Sequence, residues 1–189
     1  MARVLIVYGT TEGHTALIAD RMATVIRAGG HEVELHDSKK VHKRAVPGDF
    51  DGIIVGGSVH AGDHQSSLRE FAKRNRDLLE RVPSAFFSVS LTAADPDEEA
   101  AAETQAMLDK FTRETGWRPR RVETIAGALV YTQYNVFIRH MMKLIVKHQG
   151  RSELDTSRDY DFTDWDAVER FAREFTATIA EGVRSPSRG

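Results

Sequence analysis

The apolar run Val4-Leu5-Ile6-Val7-Tyr8 leads without pause into Gly9-Thr10-Thr11-Glu12-Gly13-His14-Thr15, and then into a helical repeat of apolar residues. An unbroken apolar run is the mark of a strand buried on both faces, the environment of a parallel sheet. The repeat of Leu17, Ile18, Met22, Val25 and Ile26 predicts a helix from about Thr15 to Ala28, ended by Gly29-Gly30. A buried strand that turns directly into a helix needs a crossover back to the next parallel strand, so this one feature commits the chain to alternating strands and helices.

The rest of the sequence keeps that alternation. Strands are predicted over His31–His36, Asp51–Gly56, Ala85–Ser90 and Val122–Val130. Helices are predicted over Ser66–Leu79, over Glu98–Thr115 with Gly116 as its stop, and over Thr163–Ile179, where Thr163-Asp164-Trp165-Asp166 forms a capped start. The expected architecture is α/β, a three-layer sandwich with a five-stranded parallel sheet in the order 2-1-3-4-5 and helices on both faces. Residues 1–183 are read as one domain and 184–189 as a disordered tail. Residues 131–162 exceed the five-strand plan and are read as an insertion after strand five. Within it Val136–His148 is helical, with Arg139, His140, Lys143 and Lys147 on one stripe and apolar residues over the remainder.

Composition narrows the chemistry. The chain has 189 residues, a net charge of -2 and no cysteine. That balance offers no footprint for nucleic acid. Without thiols there are no disulfides, thiolate metal sites or iron–sulfur clusters, so redox chemistry has to come from a bound cofactor. The opening residues do not resemble a signal peptide, and no apolar run reaches the roughly 20 residues that span a bilayer. A cytoplasmic protein is expected.

In a sheet of this order, ligands sit beyond the strand C-terminal ends, at the switch between strands one and three. Three loops meet there: Gly9–Thr15, Gly56–His64 and Ser88–Asp95. The first enters a helix, so free N–H groups and the positive end of the helix dipole suit an anion, and three threonines add hydroxyl donors. It holds no Lys or Arg, which excludes a Walker A motif, and its glycines do not follow Gly-x-Gly-x-x-Gly. A threonine-rich helix cap alone would explain this loop, as turn chemistry would explain each of the others. Three such loops at one sheet edge point instead to a phosphate with a flat ring beside it, such as a flavin. The acidic residues and the lysine that a response regulator needs at these strand ends are absent. His60 and His64 lie four apart in a loop, and eight histidines need no metal to explain them. Trp117, Tyr131 and Tyr134 are candidates for aromatic cover of the ring or for core packing.

The first loop resembles the flavodoxin signature, with His14 where asparagine is usual. Over nearly the whole chain, from Val4 to about Phe175, the sequence resembles the flavodoxin-like, menaquinone-dependent protoporphyrinogen dehydrogenases. The motifs that carry this are Pro83-Ser84-Ala85-Phe86-Phe87-Ser88-Val89, Trp117-Arg118-Pro119, Ile125-Ala126-Gly127-Ala128-Leu129, Met142-Lys143-Leu144-Ile145 and Tyr160 to Phe171. The resemblance implies flavin mononucleotide (FMN) as cofactor. It also implies removal of six electrons in total from protoporphyrinogen IX, or a similar hydrophobic donor, with a membrane quinone as acceptor. By motif match, phosphate contacts fall to Thr10, Thr11, Glu12 through its backbone, Gly13, His14 and Thr15. Ring contacts fall to Ser58, Val59, His60, Gly62, Ser88, Val89, Ser90 and Leu91. Ala61 stands where the family tends to place an aromatic. The flavin does the chemistry, so no side chain is assigned a catalytic role. The stripe Arg139, Lys143, Lys147 could meet porphyrin propionates or a membrane surface, and the same helix could instead seat a second copy of the chain. An electron carrier, or a quinone reductase without a tetrapyrrole substrate, are the alternative readings.

Overall fold

Register explains how the three loops come together. In the computed structural model, which describes residues 1–41, 46, 49–129 and 160–184, the sheet is built outward from β1 (Arg3–Gly9). It pairs in parallel with β2 (Glu32–Asp37) on one side and β3 (Gly52–His60) on the other. β3 in turn pairs in parallel with a later strand, Ser84–Ser90, and that one with Arg121–Ala126. Between them lie a two-residue strand β4 (Asp63–His64) and the helices α3 (Ser66–Arg74) and α4 (Arg76–Arg81), so the two later strands are β5 and β6. The order β2-β1-β3-β5-β6 is the expected 2-1-3-4-5 with the short β4 added beside β3.

The helices α1 (His14–Ala28), α2 (Ser38–Val41), α5 (Glu98–Thr115) and α6 (Trp165–Arg184) complete the layers. Because side chains alternate along a strand, each strand feeds two cores. Val4, Ile6, Ile54, Ala85 and Phe87 pack with α1 and α6, through residues such as Ile18, Met22, Phe171 and Phe175. Leu5, Val7, Ile53, Val55 and Phe86 pack with α3 and α5, through Leu68, Phe71 and Phe111. Trp117 is fully buried in this second core against Phe86 and Phe111, so it is core rather than ring cover.

The sequence misjudged four boundaries. The third strand does not stop at Gly56 but runs to His60. Glycine there is a packing requirement and not a loop signal: a Cβ at Gly56 would lie 2.0 Å from Phe87 Cε1, and one at Gly57 2.5 Å from Leu68 Cδ2. The helix expected over Ser66–Leu79 breaks at Asn75, whose side chain turns back to donate to the Phe71 carbonyl and accepts from the Val46 N–H. The fifth strand stops at Ala126, after which β7 (Ala128–Leu129) pairs antiparallel with β8 (Tyr160–Asp161). The last helix continues to Arg184, the residue where the tail was expected to begin.

The body of the expected insertion, with helix Val136–His148 and Tyr131, Tyr134, Arg139, His140, Lys143 and Lys147, lies outside the described residues, as do 185–189. No helix among the described residues is long and apolar enough to cross a membrane.

Candidate functional site

The register places Gly9 beside Gly57 and Gly57 beside Ser88, and one step further Ser58 beside Val89. β3 and β5 thus run three and two residues past the end of β1, and a cleft opens over that step. It is lined by Thr10, Thr11, Glu12, His14 and Thr15 from the first loop, Ser58, Val59 and His60 from β3, and Val89, Ser90 and Leu91 after β5. Gly127 and Ala128 complete the wall. Gly13, Gly62 and Ser88 are not among the lining residues: Gly13 and Gly62 are turn residues at positive φ, and Ser88 Oγ meets His64 Nε2.

The first loop is shaped as an anion cradle. Gly13 precedes α1 in the left-handed region at φ 93°, and its N–H donates to Thr10 Oγ1 at 2.9 Å, folding the loop on itself. α1 has no side-chain cap and no acidic residue in its first turn; Ala16 and Leu17 N–H donate to the Gly13 carbonyl, and the N–H groups of His14 and Thr15 are left for a ligand. Thr15 is 1% exposed, and its hydroxyl has no hydrogen-bond partner. A buried hydroxyl left unpaired is costly, and one facing a cleft beside free helix N–H groups fits a phosphate oxygen.

His14 turns toward the far wall. Its Nε2 lies 2.7 Å from Thr163 Oγ1, and that hydroxyl already donates to the Ala126 carbonyl, so the imidazole Nε2–H is the donor. Trp165 meets the ring edge-on, and Asp161 Oδ1 lies 3.6 Å away. Burial lowers the His14 pKa against the opposing pull of Asp161. At neutral pH the imidazole is uncharged, and the cradle works through neutral donors. His14 also ties the cradle to the β7–β8 pair.

The second loop is a tight hairpin. Val59 pairs with His64 and His60 with Asp63, leaving Ala61 and Gly62 as its two turn residues, at φ 51° and 79°. Two successive positive φ values are the signature of a type I′ turn. Asp63 is held by Lys110 at 2.5 Å and Arg69 at 3.3 Å, and the Lys110 hydrogen bond is the main cause of its lowered pKa. His64 is buried against Phe86 and Phe111, with Nε2 2.9 Å from Ser88 Oγ. Ser88 therefore serves the hairpin from beneath. The third loop closes with Ser90, whose carbonyl accepts from the Gly127 N–H at 3.0 Å and whose hydroxyl accepts from the Ala93 N–H at 3.1 Å.

The sequence matches the flavodoxin domain over residues 5–156. The chain belongs to the flavodoxin-domain family. Among flavodoxin-domain relatives, a protein of Escherichia coli named protoporphyrinogen IX dehydrogenase [quinone] is 37% identical over 174 residues, covering 91% of this chain and 93% of that one. A Leishmania major protein of the same name is 35% identical over 181 residues, covering 93% of this chain and 75% of that one. The flavodoxin fold is also that of oxidised flavodoxin 1 from Bacillus cereus, at TM-score 0.52 and 17% identity over 93% of this chain and 98% of that one.

Sequence reasoning missed Gln65, Gly127, Ala128, Asp161 and Thr163. The 160–165 stretch carried a signal, since it was one of the motifs of the resemblance. The position of Gln65 carried none, because its partners are remote in sequence.

Proposed function

We propose that this chain is an FMN-dependent oxidoreductase that oxidises protoporphyrinogen IX to protoporphyrin IX with a quinone as electron acceptor. The observation that carries the cofactor is the orphaned Thr15 hydroxyl in a cradle of helix N–H groups, in one cleft with the ends of β3 and β5. The substrate rests on the named relatives that match most of the chain. Bound FMN supplies the two-electron chemistry that no side chain of a cysteine-free protein can.

The chain's own residues bind and orient. Thr10, Thr11, Thr15 and the backbone of Glu12 and His14 hold the phosphate, and Gly13, whose N–H is taken by Thr10 Oγ1, turns the loop into the cradle. Ser58, Val59, His60, Gly62, Val89, Ser90 and Leu91 hold the ring, with Ser88 behind them. The phosphate loop, which has no Lys or Arg of its own, balances the phosphate by hydrogen bonds. No residue serves as an obligatory acid or base. Residues 1–183 act as one domain, in the cytoplasm or at the inner membrane face. Arg139, Lys143 and Lys147 would meet propionates or anionic lipid headgroups there, with homo-oligomer formation as the other use of that helix.

Thr15→Val separates binding from folding. The change keeps shape and removes a hydroxyl that is unsatisfied without ligand, so the apoprotein gains about 1 kcal/mol in urea unfolding. FMN affinity falls about 10- to 100-fold, the effect of losing a hydrogen bond to a charged group. Unchanged FMN binding would remove Thr15 from the phosphate site.

The substrate is tested by anaerobic turnover of protoporphyrinogen IX with a menaquinone analogue. The expected result is FMN-dependent porphyrin formation well above the rate without protein. No such rate, in protein that carries FMN, would leave an electron carrier or a quinone reductase.

A further inference from the structure

Gln65 follows the β3–β4 hairpin directly and occupies the position before α3, with no side-chain cap to its own helix. Its side chain reaches across the sheet edge instead. Nε2 lies 2.6 Å from Ser58 Oγ and 3.1 Å from Thr11 Oγ1, so one amide bonds the phosphate loop and the end of β3 at once. Both hydroxyls can donate or accept, so the bridge holds whichever way the amide is turned.

The sheet makes room for this amide. Gly9 and Gly57 are register partners, and Gln65 Oε1 is buried over them. A Cβ on Gly9 would lie 2.6 Å from Oε1, and one on Gly57 3.2 Å from it. Two glycines in neighbouring strands thus form a slot that a side chain at either position would close. Gln65 is absent from the cleft lining, so it acts only through the residues it holds.

We infer that Gln65 is a positioning residue that fixes the gap between the phosphate cradle and the ring wall, and so favours FMN over riboflavin. This rests on the FMN reading above. FMN must satisfy both ends of the cleft through a ribityl chain of set length, whereas riboflavin lacks the phosphate and needs only the ring wall. Holding Thr11 and Ser58 at one spacing pre-organises the site for the longer ligand and leaves the shorter one indifferent.

The test compares FMN and riboflavin binding to the apoprotein by flavin fluorescence, in the unmodified chain and in Gln65→Met, which keeps length and loses both hydrogen bonds. FMN affinity is expected to fall about tenfold, the cost of ordering a cradle no longer held at the ring wall's spacing, while riboflavin affinity changes less than about threefold. Gln65→Asn, a smaller change that stays polar but cannot span both hydroxyls, is expected to move the ratio in the same direction should the Met variant fold poorly. Equal losses for both ligands would reduce Gln65 to a structural residue and overturn the inference, as would no loss for either. Failure of the underlying reading looks different: the unmodified chain itself would then bind FMN no better than riboflavin.

Discussion

Lowering the pH from 6.5 to 4 is expected to remove about 3 kcal/mol of folding stability through His64 alone. His64 is 4% exposed and wedged between Phe86 and Phe111, and burial is the largest cause of a pKa lowered from 6.5 to about 4. Arg69 pushes the same way, while Asp63 and Glu114 oppose it. The unfolded chain takes up a proton near pH 6.5, whereas the folded chain does not until about pH 4. Between those values the unfolded state binds more protons, so falling pH favours unfolding. The stabilisation is complete above pH 6.5 and is lost progressively down to the folded value. His14, whose pKa is also lowered, contributes with the same sign. Urea unfolding at a series of pH values, compared between the parent and His64→Phe, isolates the effect, because Phe cannot titrate. A shallower pH dependence in the variant is expected, and identical slopes would contradict it. The cost arises at the site, since a protonated His64 would be a charge buried between Phe86 and Phe111 at the base of the hairpin.

Gly56→Val is expected to cost about 3 kcal/mol or more, from overpacking in a core that cannot give. The added Cβ would sit 2.0 Å from both Cε1 and Cζ of Phe87. Phe87 is fully buried between α1 and α6, and β3 is flanked by β1 and β5, so neither ring nor strand has anywhere to move. For a chain of this size the melting temperature falls by about 6–12 °C. Gly62→Ala is the contrast: nothing lies within 4 Å of its Cβ position, and only the positive φ resists, at about 1 kcal/mol. Thermal unfolding of the two variants ranks them, and a Gly56→Val chain that melts with the parent would disprove the packing argument.

What the sequence revealed was governed by local rules. Val4–Tyr8 could only be a buried strand, and the Glu98–Thr115 helix with its Gly116 stop carried both its period and its cap, which φ 72° at Gly116 bears out. What escaped was decided across the fold. Gly56 and Gly57 looked like the start of a loop because the reason for them, Phe87 and Leu68, lies elsewhere in the chain. Asn75 broke a helix whose apolar spacing ran through it, because its amide is used at both ends. The cradle was legible because strand, glycine, threonine and helix stand in a row. Gln65 was not, because its bridge joins residues 54 and 7 positions away. His14 was read as part of the loop, whereas it opens α1, and its bond to Thr163 joins it to a residue 149 positions away.

FMN is expected to bind at the C-terminal ends of β1, β3 and β5 with its phosphate on the loop 9–15. Amide-resolved NMR of the apoprotein during FMN titration tests it most directly. Saturable shifts are expected at residues 10–15, 58–62 and 88–91, with riboflavin reproducing the second and third groups and sparing the first. Saturable shifts that leave 10–15 unmoved by FMN, or no shifts at all, would contradict it.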